Sequence, residues 1–182
     1  MSSSPAGIAC GEDCAETYPS FTKVTLTASP SSGSAFTGWS GGGCSGTGSC
    51  EVTLIDPTQV TAEFKQTKAK LGPLKITPKA KKVRAGKAQR VKVKVTNVGD
   101  GTARNVKVCV KAPKKLVKVK KKCVKLGSVA AGRTKTATFR VKLTRKAKIG
   151  KKVKLTFSAT AHGIAKRSGK AVLTRRTGRN VS

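Results

Sequence analysis

Six cysteines are the residues of this 182-residue sequence whose spacing most directly indicates chemistry. They form three sequence-local pairs: Cys10 and Cys14, Cys44 and Cys50, and Cys109 and Cys123. An even number of cysteines in small modules with a modest core favours disulfides and an oxidising location. Six cysteines allow fifteen pairings, and among these we favour the three local pairs. The alternative is a zinc site built from the first four cysteines, but their C-x3-C and C-x5-C spacings are looser than those of zinc ribbons.

The residues that acid–base catalysis requires are scarce. The only histidine, His162, precedes Gly163 in a predicted turn, and residues 65–182 contain a single acidic residue, Asp100. A general acid–base pair needs positioned carboxylates or a histidine with a partner. We therefore expect no enzymatic activity and no cofactor.

Three features of the first 64 residues resemble ligand sites but are better explained without a ligand. Glu12, Asp13 and Glu16 lie close together, yet they lack the Asp-x-Asp ladder of a calcium loop. The glycine run at 41–43 lacks the lysine and the helix of a phosphate loop. Trp39 is a candidate for sugar stacking, but its place in the segment Phe-Thr-Gly-Trp favours a role as a core anchor. No metal site is predicted.

Charge is distributed very unevenly along the chain. Residues 1–64 hold six of the seven acidic residues and one lysine, whereas residues 65–182 hold 38 of the 39 lysines and arginines. This asymmetry predicts two modules, the second of which is attracted to anionic surfaces. The longest apolar runs are only a few residues, so we expect no membrane insertion.

The first module reads as short strands separated by turns, and its residues resemble a known family. The segments SSPAGIACGEDC, VTLTASPSSGSAFTGWSG and CSGTGSCEVTLIDPTQVTAEF are similar to the divergent internalin-B-type repeat of bacterial surface proteins, over residues 4–64. The resemblance implies a small β-grasp-like, disulfide-bonded repeat with structural or adhesive duty. Repeats of this type open with a strand before Ser-Pro-Ala-Gly, and here only MSSS precedes it. We therefore expect a truncated or misassigned N-terminus that has lost a signal peptide.

Residues 65–73 read as a polar linker, and residues 74–176 predict an immunoglobulin-like sandwich of about seven strands. A tail at residues 177–182 is expected to be flexible. The predicted strands lie at 74–78, 89–96, 105–111, 116–126, 134–143, 152–161 and 168–174. The segments VKVKVTNVGDGTARNVKVCVKAP and LGSVAAGRTKTATFRVKLTRKAKIGKKVKL resemble immunoglobulin-like domains of bacterial surface proteins, of the CARDB type, over about residues 72–176.

Valine and lysine alternate along these strands, and successive side chains of a strand point to opposite faces. The alternation predicts valines in a core and cations on two outer faces. Cys109 and Cys123 share the parity of the neighbouring lysines, so their disulfide is expected outside the core. The cations predicted to contact a polyanion are Lys92, Lys94, Lys107, Lys111, Lys118, Lys120, Lys125, Arg140 and Lys142.

The sequence therefore predicts an all-β, non-enzymatic module of a secreted or cell-surface bacterial protein with a structural or adhesive role. Its expected partners are anionic cell-envelope polymers or other surface proteins. The alternative is an extracellular module that binds nucleic acid or another polyanion. Specific nucleic-acid recognition is not expected, because lysine outnumbers arginine 28 to 10 from residue 65 onward and both aromatics there, Phe139 and Phe157, lie on apolar stripes.

Overall fold

The computed structural model describes residues 1–177 and is all-β, which confirms the predicted fold class. The chain divides into two compact units between Thr67 and Lys68. Apart from Thr177, the tail predicted at 177–182 lies outside the described residues. Within the described residues, no helix has the length and apolar character to span a membrane.

The N-terminal unit, residues 1–67, is built from two small sheets. Its described strands are β1 (Ser2–Ser4), β2 (Lys23–Thr27), β3 (Ser34–Ser40), β4 (Cys50–Thr53) and β5 (Thr61–Gln66). The first sheet has the order β1-β2-β4, and β3 pairs with β5 in the second. In β2, Val24 and Leu26 are buried while Lys23 and Thr27 are exposed, as alternation in a half-buried strand requires.

The core of the N-terminal unit is small and centred on Trp39. The Trp39 side chain is buried, its Nε1 donates a hydrogen bond to the Gly48 carbonyl at 2.6 Å, and its ring centroid lies 5.0 Å from that of Phe36. Trp39 is therefore a core anchor. Among the residues described in this unit, the nearly fully buried apolar side chains are Val24, Leu26, Trp39 and Cys50. So small a core is typical of domains that rely on disulfides, and this unit has Cys10–Cys14 and Cys44–Cys50.

The C-terminal unit, which begins at Lys68, is a β-sandwich. Its described strands are β6 (Lys75–Thr77), β7 (Ala80–Val83), β8 (Ala88–Thr96), β9 (Ala103–Lys111), β10 (Val117–Val119), β11 (Cys123–Val129), β12 (Thr134–Leu143), β13 (Lys152–Ala161) and β14 (Ile164–Arg175). One sheet has the order β10-β12-β8-β6 and the other β11-β9-β13-β14-β7. The nine strands exceed the predicted seven because β7 carries no prediction and because the predicted strand at 116–126 is two strands, β10 and β11.

The division of residues 116–126 into two strands changes how the sandwich closes. β10 pairs with β12 in the four-stranded sheet, whereas β11 pairs with β9 in the five-stranded sheet. The chain therefore crosses from one layer to the other between Val119 and Cys123. The lysines at 120–122 are exposed, so this crossover can run along the surface.

The core between the two sheets is built from the alternating apolar stripes. Val93, Val108 and Val141 are fully buried, while the lysines beside them are exposed. The rings of Phe139 and Phe157 meet across the layers with centroids 5.3 Å apart. Burying each such side chain contributes about 1.5–3 kcal/mol relative to leaving it in water. The apolar positions of these strands therefore face the core, and the alternating cationic positions face outward, as the sequence predicts.

One irregularity interrupts the alternation in β9. Ala103 and Val106 are both buried although they are three residues apart, and Asn105 between them has φ 54°. The register to β11 shifts opposite this point, where Gly127 has φ 69°. The irregularity is a bulge, and its two residues with left-handed backbone are Asn105 on β9 and Gly127 on β11. Glycine and asparagine tolerate that conformation best. The bulge allows the valines of β9 that follow it to face the core again.

The segment 65–73, read from sequence as a linker, is not a free connector in the structure. Residues 65 and 66 continue β5, and Leu71 is fully buried in the core of the C-terminal unit. The fully buried Asn97 fixes this segment, because its Oδ1 accepts a hydrogen bond from the Lys70 backbone N–H at 3.0 Å. A single apolar residue inside a polar stretch gives little sequence signal, so the packing of Leu71 was missed.

Candidate polyanion-binding surface

The nine cations predicted to contact a polyanion lie on two different faces of the C-terminal sandwich. Six belong to the four-stranded sheet and its border: Lys92 and Lys94 on β8, Lys118 and Lys120 on and after β10, and Arg140 and Lys142 on β12. Lys107, Lys111 and Lys125 belong to the five-stranded sheet. All nine are exposed. The structure thus brings six of them together and separates three.

The outer face of the four-stranded sheet carries most of the predicted cations. Sequence reasoning missed two further exposed members, Arg90 on β8 and Lys75 on β6. Arg90 shares the parity of Lys92 and Lys94, so the signal for it was present in the sequence. We call the eight residues together the basic face: Lys75, Arg90, Lys92, Lys94, Lys118, Lys120, Arg140 and Lys142.

Like charges stand directly opposite each other at three places on the basic face. Lys75 pairs with Lys94, Arg90 with Arg140, and Lys118 with Lys142. Like charges directly opposite each other on neighbouring antiparallel strands destabilise the sheet, by about 0.2–1 kcal/mol for each pair. Folding alone would be better served by threonine, serine or glutamate at these positions. The fold does not require these three like-charged pairs.

Replacing Lys94 with glutamate is expected to stabilise the C-terminal unit by about 0.5–1 kcal/mol, because an opposite charge would then face Lys75. The matched control is Lys154→Glu, an exposed lysine of β13 whose cross-strand neighbour on β14 is Val172. Urea unfolding at low ionic strength measures both. Equal stabilisation by the two variants would contradict a local cross-strand repulsion and leave only the effect of overall charge.

The outer face of the five-stranded sheet has a different character. A disulfide joins Cys109 on β9 to Cys123 on β11, and the two residues are direct cross-strand partners. Next along the strands, Lys107 faces Lys125. β9 also pairs with β13, and there Lys111 lies opposite Thr156. The disulfide therefore lies outside the core and ties two strands together where their lysines repel each other.

The other residues considered from sequence are not assembled into a catalytic or metal site in the part of the chain that is described. His162 is exposed in the turn between β13 and β14. Glu12, Asp13 and Glu16 are exposed near the Cys10–Cys14 disulfide, and no metal-binding group of acids, histidines or cysteines occurs among the described residues. All six cysteines are used in the three disulfides. No cysteine is left to serve as a zinc ligand.

The N-terminal unit contains a cavity of about 1000 Å³ that the sequence did not predict. Much of its lining is apolar and includes Ile8, Leu26, Val52, Leu54 and Phe64. Phe64 is 43% exposed and Ile55, nearby in sequence, is 66% exposed. The interior of this unit is thus incompletely covered, which agrees with its small number of fully buried side chains.

The sequence matches two family models, one in each unit. Residues 5–68 match the divergent InlB B-repeat domain, and residues 83–162 match the NPCBM-associated, NEW3 domain of alpha-galactosidase. The chain is similar to these two domain families in tandem. Both are repeat- or accessory-type domains. The internalin-B-type resemblance of the first unit is confirmed, whereas the CARDB type of the second is not confirmed and stays a prediction.

Among curated proteins, no sequence matches this chain significantly. Several solved structures are similar to parts of this chain. They include Spo0M, a sporulation control protein from Bacillus subtilis (16% identity, 60% of this chain and 50% of that chain, TM-score 0.41). The CsuC-CsuE chaperone-tip adhesion subunit complex from Csu pili of Acinetobacter baumannii has 13% identity, covering 61% of this chain and 59% of that chain, with TM-score 0.37. Domains 4 and 5 of the S-layer protein SbsC have 13% identity, 69% of each chain and TM-score 0.39. The chain thus spans about half the length of the first of these structures.

Proposed function

We propose that this chain is a non-enzymatic structural and adhesive part of a secreted or cell-surface bacterial protein. In this proposal it associates electrostatically with anionic polymers of the cell envelope through the basic face. The two family matches to repeat- and accessory-type domains support the structural role. Three disulfides support an oxidising location outside the cytoplasm.

The observation that carries the electrostatic part is the set of like-charged pairs on the basic face. Arg90 and Arg140 lie on neighbouring central strands, and Asp100 is the only acidic residue after residue 65. A polyanion laid across the face would replace these repulsions with attractions and release its own counterions. The fold itself gains nothing from the arrangement, so an external polymer is its best explanation.

The same surface favours an acidic envelope polymer over a nucleic acid. Single-stranded nucleic acids are held by aromatic side chains on which bases stack. The two aromatic residues of the C-terminal unit, Phe139 and Phe157, are at most 1% exposed. The described unit also contains no helix that could enter a major groove. The described surface therefore offers positive charge, mostly of lysine, without groups that recognise bases.

The proposal is tested by binding of poly(glycerol phosphate), poly-glutamate and single-stranded DNA over a series of NaCl concentrations. Replacing Lys92, Lys94, Arg140 and Lys142 with glutamine is expected to weaken polymer binding at least about tenfold. The slope of log K against log salt should fall by about 0.7–0.9 for each anionic group of the polymer that the variant no longer neutralises. Each binding constant is measured by fluorescence anisotropy on labelled polymer.

The control variant removes the same number of charges from loops. Lys114, Lys115, Lys148 and Lys151 are exposed and lie outside the strands. We expect this variant to lose less than half as much binding free energy as the variant of the basic face. Equal losses would show that overall charge decides binding and would contradict the assignment to the face. Tight DNA binding that persists well above physiological salt would favour the nucleic-acid alternative instead.

A further inference from the structure

A second cationic feature lies at one end of the C-terminal sandwich, near the turn between β7 and β8. It is a cavity of about 400 Å³ whose charged lining residues are Lys81, Lys82, Arg84, Lys87 and Arg176. Val83 and Gln89 complete the lining, so none of the described residues around it carries a carboxylate. Five positive charges line an open space of small-molecule size, and no described residue of the lining neutralises them.

The backbone around this cavity is held in place by hydrogen bonds from three strands. The Arg176 N–H donates to the Val83 carbonyl at 3.0 Å, which joins the end of β14 to the end of β7. The Gly86 N–H donates to the Leu143 carbonyl of β12 at 2.9 Å, and Gly86 has φ 83°, which glycine adopts without strain. The cations are therefore carried on an anchored turn and not on a free loop.

Arg84 carries the observation that points to a ligand. Its Nε is shielded from solvent, and no acceptor for this nitrogen is found among the described residues. A buried donor without an acceptor costs free energy, and the cost is greater for a charged group. The Arg84 side chain as a whole is only partly buried and lines the cavity. A small movement of the partly buried Arg84 side chain would bring this nitrogen to the cavity, where an anion would give it the acceptor that none of the described residues supplies.

The chemistry of the lining selects the class of anion. Guanidinium groups bind oxyanions through paired, nearly parallel hydrogen bonds, and lysines add point charges around them. A tetrahedral oxyanion offers more acceptor oxygens than a carboxylate, so it can satisfy several of these donors at once. We propose that the cavity lined by Arg84, Lys87 and Arg176 is a binding site for a phosphate-type oxyanion, either free or as a phosphodiester group.

This site is separate from the polymer contact proposed for the basic face. The only acidic residue of the C-terminal unit, Asp100, lies just beyond the opposite end of β8, so it does not neutralise the cavity. The cavity takes one anionic group, whereas the basic face offers many weak contacts to a long chain. Either site can be present without the other, and the experiments distinguish them.

The test uses the full chain with ¹⁵N-labelled arginine and follows the Nε–H resonances during titration with sodium phosphate. Sodium chloride at matched ionic strength is the reference. We expect the Arg84 resonance to shift saturably with a dissociation constant of about 1 mM or below, while other arginines far from the cavity shift little. Phosphate should also raise the unfolding temperature by a few degrees beyond the effect of chloride.

Two double variants separate the cavity from general charge. Arg84→Gln with Lys87→Gln is expected to abolish the rise in unfolding temperature that phosphate causes. Lys92→Gln with Arg140→Gln removes equal charge from the basic face and should leave both phosphate effects in place while weakening polymer binding. If the cavity variant does not fold, the titration of the Arg84 Nε–H resonance in the wild-type chain decides whether the site exists. An Arg84 resonance that moves no more in phosphate than in chloride overturns the site.

Further titrations identify the source of the oxyanion. Dimethyl phosphate carries the diester chemistry, acetate carries a carboxylate, and phosphatidylglycerol vesicles present the diester on a lipid surface. A saturable Arg84 shift with phosphate or dimethyl phosphate but not with acetate supports the assignment. If the cavity variant binds the vesicles as well as the wild-type chain does, vesicle binding is due to overall charge and not to the cavity. An equal or stronger response to acetate would overturn the phosphate class.

Discussion

Replacing Asn97 with alanine is expected to lower the free energy of unfolding of the C-terminal unit by about 3–5 kcal/mol. The Asn97 amide is fully buried and makes four hydrogen bonds. Its Oδ1 accepts from the Lys70 and Gly99 backbone N–H groups, and its Nδ2 donates to the carbonyls of Gly101 and Val129 at 2.6 and 3.0 Å. Alanine would leave the Gly101 and Val129 carbonyls without this partner in the interior, and the Lys70 and Gly99 N–H groups without it at the border of the interior.

The measurement is hydrogen exchange of the amides of β8, β9 and β11 in the full chain, together with urea unfolding. The matched control is Asn105→Gly, an exposed asparagine at φ 54° in the same unit. Glycine adopts that backbone conformation freely, so the control should change the free energy of unfolding by less than about 0.5 kcal/mol. A loss below about 1 kcal/mol for Asn97→Ala would contradict a central role for this side chain.

Replacing both Cys109 and Cys123 with serine is expected to cost the C-terminal unit about 3 kcal/mol, because the disulfide closes a loop of about 15 residues in the unfolded chain. The cost should be larger at low salt, since Lys107 and Lys125 face each other beside the bond and lose their covalent restraint. Thermal unfolding of the full chain at two NaCl concentrations measures both effects.

The control replaces Cys10 and Cys14 with serine, which removes a disulfide from the N-terminal unit. That variant should leave hydrogen exchange in β9 and β11 unchanged. If it slows or speeds exchange there as much as the Cys109/Cys123 variant does, the two disulfides do not act locally. A loss independent of salt would show that the facing lysines add nothing to the role of the bond.

The architecture of the C-terminal unit follows from a pattern that the sequence displays openly. Alternation of valine with lysine is sufficient to assign faces, because a strand has a side-chain period of two. The rule therefore assigns Val93, Val108 and Val141 to the core, and all three are fully buried. The position of the Cys109–Cys123 disulfide outside the core follows from the same rule.

Features that depend on distant partners were not predictable in this way. Residues 116–126 change parity at the lysine run 120–122, because Val117 and Val119 precede it at odd positions and Val124 follows it at an even one. This change marks a break in the strand, but the sheet that each half joins depends on distant partners. Asn97 lies in a turn-like segment, where asparagine is ordinary, and only the fold reveals its four partners. Arg84 belongs to the dense run of cations between Lys79 and Lys87, which was the available signal for a local site. Charge density alone does not show that these cations line one cavity.

The four outermost strands of the sandwich, β6, β7, β10 and β11, each carry at least one lysine. An outermost strand has unpaired backbone groups that invite a strand from another molecule, and a lysine there makes such pairing unfavourable. If many copies of this protein lay side by side on one surface, their edge strands would repel each other and would not pair into a continuous sheet. The lysine excess on which the proposed anion binding rests should therefore also disfavour fibril growth.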